Sequence, residues 1–256
     1  MGTDWQGRDL ADEATGELRD AAPDLLLPID PDAPVSGHAP PAEASRPASE
    51  TPEHDWSAAR SVIFPLLRPA GTLGTALDAP LDATTPRPGG HTQPMVGEGP
   101  CDIVVAYALA ADGFDVLVNL EHLLSWGIGG AELDETARAN LSAWSSQAGW
   151  EDETSGTRRL LTSDSGTGRD AARILLPEVR DYLLRELAGP HVAPGTRVLI
   201  GLPERHLLLA GALAPGDDEF AALFQEFLTE HSEAAEEPID RRVFELTGDS
   251  LQPFAG

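Results

Sequence analysis

The sequence predicts an α+β fold: an antiparallel sheet built from hairpin-helix modules, covered by about three helices and preceded by a disordered acidic N-terminal leader. Three observations carry this. Of the 22 prolines, fifteen fall in residues 1–100 and seven in residues 101–256, so regular structure belongs mainly to the second portion. From Asp102 to Trp144 the chain reads as an apolar run, an Asp112-Gly113 turn, a second apolar run, a short apolar segment and an amphipathic stretch. The same order returns from Thr196 to Leu228. Poor identity between the copies leaves open whether this is duplication or a common α+β arrangement.

The elements follow in order. Residues 1–57 form the leader; its first 56 residues hold 13 acids and three arginines, a balance of −10, with Pro, Ala and Ser throughout. Too little apolar surface is available there to offset ordering entropy, which predicts disorder. Within it, Arg8–Ala21 has a weak helical pattern. Asp24–Asp30 is an apolar burst between acids, a short docking motif or a strand or turn on the domain surface. The domain is placed at 58–256, opening with Val62, Ile63, Phe64, Leu66 and Leu67, where Pro65 and Pro69 favour extended chain. Residues 70–100, rich in Gly, Pro and Thr, read as an irregular connector. Ile103–Leu109 and Phe114–Val118 make the first hairpin. After Gly130, Leu133, Ala137, Leu141, Trp144 and Ala148 recur at helical spacing, with Glu132, Asp134 and Glu135 where the helix dipole favours acids. Arg158–Thr162 reads as a short strand. A helix follows with Ile174, Leu175, Val179, Tyr182, Leu183 and Leu187 on one face; Pro177 either kinks it or opens a shorter one. Arg197–Leu202 and His206–Ala212 pair as the second hairpin, Asp217–His231 is helical, and Arg242–Leu246 with Leu251–Phe254 close the domain.

The segments IFPLLRP, IVVAYALAADGFDVLVNLEHLLSWGI, ELDETARANLSAW, RILLPEV and VLIGLPERHLLLAGA together resemble the DUF1444, or YtpQ-like, family across roughly Ser61–Phe254. Ala139-Asn140-Leu141, Pro203, Arg205 and Leu207–Leu209 are the most recognisable pieces, while the acidic leader and the connector through Gly99 depart from the pattern. That family carries no assigned activity, so the resemblance implies domain limits and fold class and transfers no catalytic residue.

Charge narrows the function classes. The formal net charge is −26, and all 17 basic residues are arginine. Such a surface repels nucleic-acid phosphates and anionic lipid, and no apolar run approaches the ~18–20 residues that span a bilayer. The N-terminus lacks the basic and apolar regions of a secretory signal, and the single Cys101 makes no internal disulfide; a cytoplasmic location is expected.

The chemistry-bearing candidates are sparse. Gly166-Thr-Gly168-Arg-Asp-Ala171 matches G-x-G-x-x-A, whose glycines admit a pyrophosphate at a helix N-terminus; the short preceding strand and the missing βαβ context weigh against it. Ser163 stands where a nucleophile elbow needs its first glycine. None of the seven histidines has metal-ligand spacing. No catalytic residue, metal ligand or cofactor is predicted. Pro203-Glu204-Arg205-His206 makes a charged corner between apolar strands; Arg205 suits either a partner carboxylate or an internal salt bridge. Trp126, beside a glycine, is either core or an aromatic anchor. The expected function is a non-catalytic, cytoplasmic protein-binding or accessory module using Arg205, His206, Trp126 and Pro203. The alternative is a small-molecule or nucleotide-binding enzyme using the Gly166–Gly168 loop.

Overall fold

The computed structural model of the chain describes residues 52–69, 78–85, 93–111 and 114–256. The leader through residue 51, with Arg8–Ala21 and Asp24–Asp30, lies outside them, as does the Asp112-Gly113 turn. The fold is α+β, and its strands divide between two sheets rather than one.

The chain enters through a single helical turn, α1 (Trp56–Ala59), capped by Asp55, whose carboxylate accepts from Ser57 N–H. The first sheet follows: β1 (Ile63–Pro69), β2 (Ala79–Pro80), β3 (Met95–Glu98), β4 (Ile103–Ala111) and β5 (Phe114–Leu117). Its order is β1-β4-β3-β2, with β5 also on β4; every pairing is antiparallel except β2 with β3. The expected irregular connector therefore contributes two strands. Their sequences, Ala-Pro and Met-Val-Gly-Glu, are too short to show a periodicity.

Strand alternation gives this sheet two distinct faces. Ile63, Leu67, Val105, Tyr107 and Leu109 enter the main core with Leu133, Ala137 and Leu141 of α3 (Gly130–Ser145). Leu66, opposite Ala106, and Leu117, opposite Ala108, lie on the other face. Between the sheet and α3 comes α2 (Leu120–Trp126), opened by a reciprocal capping box between Asn119 and His122 and closed by left-handed Gly127.

The second sheet runs β11-β10-β8-β9-β7-β6 and is antiparallel throughout. Its strands are β6 (Glu151–Ser155), β7 (Arg158–Ser163), β8 (Arg197–Glu204), β9 (Leu207–Leu213), β10 (Phe244–Thr247) and β11 (Ser250–Pro253). β9 is buried along its whole length, and β8 everywhere but its ends, so both read as continuous apolar runs. Val198, Ile200, Leu208 and Ala210 meet Val179, Leu183 and Leu187 of α4 (Pro177–Ala188) on one face. On the other, Leu199, Leu209 and Leu213 meet Phe220, Phe224 and Leu228 of α5 (Asp218–Ala234). Each of those α5 side chains contributes about 1.5–3 kcal/mol by leaving water. Gly211 makes the approach of α5 feasible: a Cβ there would stand 3.0 Å from ring atoms of both phenylalanines.

Two segments depart from the sequence reading: one it left unassigned, and one where Ile174 and Leu175 leave the expected helix face for a 3-10 turn. β6, Glu-Asp-Glu-Thr-Ser, is fully exposed and shows no apolar alternation; it is an edge strand whose acids discourage further pairing. The segment around Pro177 resolves into a 3-10 turn (Ala171–Leu175) followed by α4 with Pro177 at its first position, the second of the two arrangements expected. Among the described residues no helix is long and apolar enough to cross a membrane.

Candidate functional site

Glu204 and Leu207 pair across the end of the β8–β9 hairpin, which leaves Arg205 and His206 as its two-residue tip. A register shift between Gly201 and Glu204 turns this end of β8 away from the regular ladder. The segment after α5 is fastened there: Ile239 N–H donates to Pro203 C=O at 2.9 Å and Asp240 N–H to Leu202 C=O at 3.1 Å. Pro203 is buried and acts through its carbonyl.

Arg205 reaches from this tip to the first sheet. Its Nη1 donates to Asp115 Oδ2 of β5 at 2.8 Å, and its Nε faces His206 Nε2 at 3.3 Å. The Arg205 carbonyl accepts from Ala171 N–H at 3.2 Å. Gly168 sits against the guanidinium with φ +75°, and a Cβ there would stand 3.1 Å from Arg205 Nε. One side chain thus gathers the hairpin tip, the glycine loop and the first sheet. The internal salt bridge expected as one reading of Arg205 is present, with both side chains about a third exposed or less (34% and 26%).

Beside Arg205 lies a cleft of about 520 Å³. Leu66 and Leu117 form one wall from the second face of the first sheet, and Pro238 and Ile239 form the opposing wall. Arg68, Arg205, Asp115, Glu236 and Glu237 supply its polar groups. The volume falls within the range of small-ligand and peptide-anchor pockets, about 300–1,000 Å³. Among the described residues, no hydrogen bond engages Arg205 Nη2, so the guanidinium keeps a donor beside apolar walls.

The glycine loop does not line this cleft, and its own side chains occupy its amides. Gly166 N–H donates to Asp164 Oδ1 at 3.3 Å, Thr167 N–H to Ser165 Oγ at 3.3 Å, and Ser165 Oγ–H to Asp170 Oδ2 at 2.6 Å. A 3-10 turn follows in place of the α-helix whose N-terminus a phosphate would use. Ser163, weighed above as a nucleophile, is fully buried; its Oγ donates to Asp170 Oδ1 and accepts from Arg173 Nη1, both at 2.6 Å. Arg173 is itself buried, bonded to Ser145 Oγ and Gly149 C=O and lying 4.1 Å over the Trp150 ring. Arg169 lies 3.7 Å over the Phe64 ring. Burial holds both guanidiniums below the ordinary arginine range.

The other candidates separate from the cleft. Trp126 is a core residue, 8% exposed, donating Nε1–H to Pro52 C=O, stacked on His122 and in tilted contact with Trp56. His206 remains at the hairpin tip beside Arg205. Cys101 donates its thiol to Leu251 C=O at 3.0 Å, and burial pushes that thiol up, away from nucleophilic character. Among the described residues no three of His, Cys, Asp and Glu gather as metal ligands. The sequence gives no sign that Asp115, Leu66, Leu117 and Pro238 share a site. Asp115 meets Arg205 across 90 residues, and no local spacing signals such a pairing.

Comparisons with family models, with curated proteins and with solved structures find no match for this chain.

Proposed function

We propose that the chain is a non-catalytic, cytoplasmic binding module of DUF1444-like type, which grips an apolar, carboxylate-bearing segment of a partner protein in the Arg205 cleft. The observation that carries this reading is the position of a guanidinium, its Nη2 uncommitted among the described residues, at the edge of a cleft walled by Leu66, Leu117, Pro238 and Ile239. Apolar walls supply affinity and a charged donor fixes register, which is how short peptide segments are recognised. Arg68 adds a second positive charge, while Glu236 and Glu237 select against strongly acidic ligands. A nucleotide reading gains no support from the glycine loop, because Asp164 and Ser165 already hold its amides.

The test is native capture on the full chain, followed by mass spectrometry and hydrogen exchange of the recovered complex. The wild type is expected to hold a stoichiometric partner that protects the Leu66 and Leu117 segments, and Arg205→Glu to lose it. Leu117→Asp leaves the Arg205–Asp115 pair in place and is expected to lose the partner too. Absence of a stoichiometric partner, or capture by both variants equal to that of the wild type, contradicts the proposal.

A further inference from the structure

A second cavity, of about 580 Å³, opens where the 3-10 turn hands over to α4. Arg138 enters it from α3 and Arg180 from α4. Both donate Nη1–H to the same carbonyl, Leu175 C=O, at 3.4 and 3.2 Å; Arg180 Nη1 also serves Ile174 C=O at 3.0 Å. Sharing one oxygen brings two like charges together. Arg138 is balanced by Asp134, which its Nε meets at 2.8 and 2.9 Å.

Arg180 has no such balance. Its Nε is cut off from solvent without a hydrogen-bond partner, and no carboxylate of the described residues lies within ion-pair distance of it. Glu178, two residues earlier and on the same cavity wall, is engaged by Ser142 Oγ–H instead. In a chain with 43 acids and 17 arginines, a half-buried guanidinium left to backbone carbonyls is a conspicuous gap.

We infer that this cavity is a binding site for a small carboxylate, held by the guanidiniums of Arg180 and Arg138. A carboxylate beside the two guanidiniums supplies the negative charge that Arg180 lacks within ion-pair distance. The walls select the charge: Glu98, Glu178 and Asp249 line the same cavity and oppose a phosphate dianion. This site is separate from the Arg205 cleft and shares no lining residue with it.

The experiment is an NMR titration of the full chain, following the Arg Nε–H signals, with sodium acetate, sodium succinate and inorganic phosphate at matched ionic strength. Saturable shifts of the Arg180 Nε–H signal with acetate or succinate, and none with phosphate, are expected. Arg180→Lys keeps the charge and loses the planar guanidinium; binding about tenfold weaker, the equivalent of one hydrogen bond, is expected when read from backbone signals around the cavity. Arg138→Lys is the second variant and weakens binding in the same direction. The inference is overturned if neither carboxylate gives a saturable shift, if phosphate binds as well as they do, or if both variants bind like the wild type.

Discussion

Replacing Ser163 by Ala removes one oxygen atom from the most deeply buried polar network and leaves its packing in place. That oxygen joins Arg173 to Asp170 through two bonds of 2.6 Å, and Ser163 and Asp170 are fully buried while Arg173 is 2% exposed. Hydrogen bonds to charged groups contribute roughly 1.5–3 kcal/mol each, and water cannot readily replace them here. Both partners keep other contacts: Arg173 holds Ser145 Oγ and Gly149 C=O, and Asp170 holds Ser165 Oγ. The lower end of the range applies, so the expected loss is about 3 kcal/mol. For a folded unit of this size that lowers Tm by about 6–12 °C. Urea denaturation and calorimetry measure both quantities. Ser165→Ala, at an exposed position, is the control and is expected to cost about 0.5–1 kcal/mol. A Ser163→Ala loss no greater than that of Ser165→Ala refutes the reasoning, since the buried charges would then not depend on the bridging hydroxyl.

Three further outcomes are expected. His122 Nδ1 accepts from Asn119 N–H, which requires the neutral ring, and burial holds the His122 pKa below its ordinary value against the opposing pull of Glu53 and Glu121. A lowered folded pKa means this contribution is complete above the unfolded value, about 6.5, and is lost as pH falls toward the folded one. A chemical-denaturation series is therefore expected to show stability declining from about pH 6.5 downward, with a shallower slope in His122→Gln. Gly168→Ala places a Cβ on a residue with φ +75° and 3.1 Å from Arg205 Nε, so a loss of about 1–2 kcal/mol is expected in urea unfolding, against near-neutrality at an unconstrained loop glycine. A double-mutant cycle between Arg205→Ala and Asp115→Ala is expected to give a coupling of about 0.5–1 kcal/mol, given the partial exposure of both side chains, that weakens in salt.

The parts of the fold legible in sequence are those whose signal is local. β8 and β9 announced themselves as apolar runs because both faces are covered, and α5 because Phe220, Phe224 and Leu228 share one stripe. β6 was silent, since an exposed edge strand needs no apolar residue. Asn140 shows a middle case: its segment stood out in the family resemblance, yet its work, holding Arg60 C=O and Ile63 C=O at 2.8 Å, spans about eighty residues of sequence. Arg205 stood out as a basic residue at a hairpin tip. Its cleft was not readable, because the walls come from β1, β5 and the segment after α5, which are far apart in sequence and meet only in the folded chain.

The exposed pair Leu223 and Phe227, one turn apart on α5 and 47% and 39% exposed, is the strongest rival surface to that cleft. A fragment screen of the full chain by NMR separates the two without knowledge of the partner, because binding hot spots collect small apolar molecules. Carboxylate-bearing fragments are expected to perturb Leu117, Ile239 and Arg205 together and to lose those effects in Arg205→Glu. Hits confined to the α5 face, with the cleft unperturbed, would contradict this expectation.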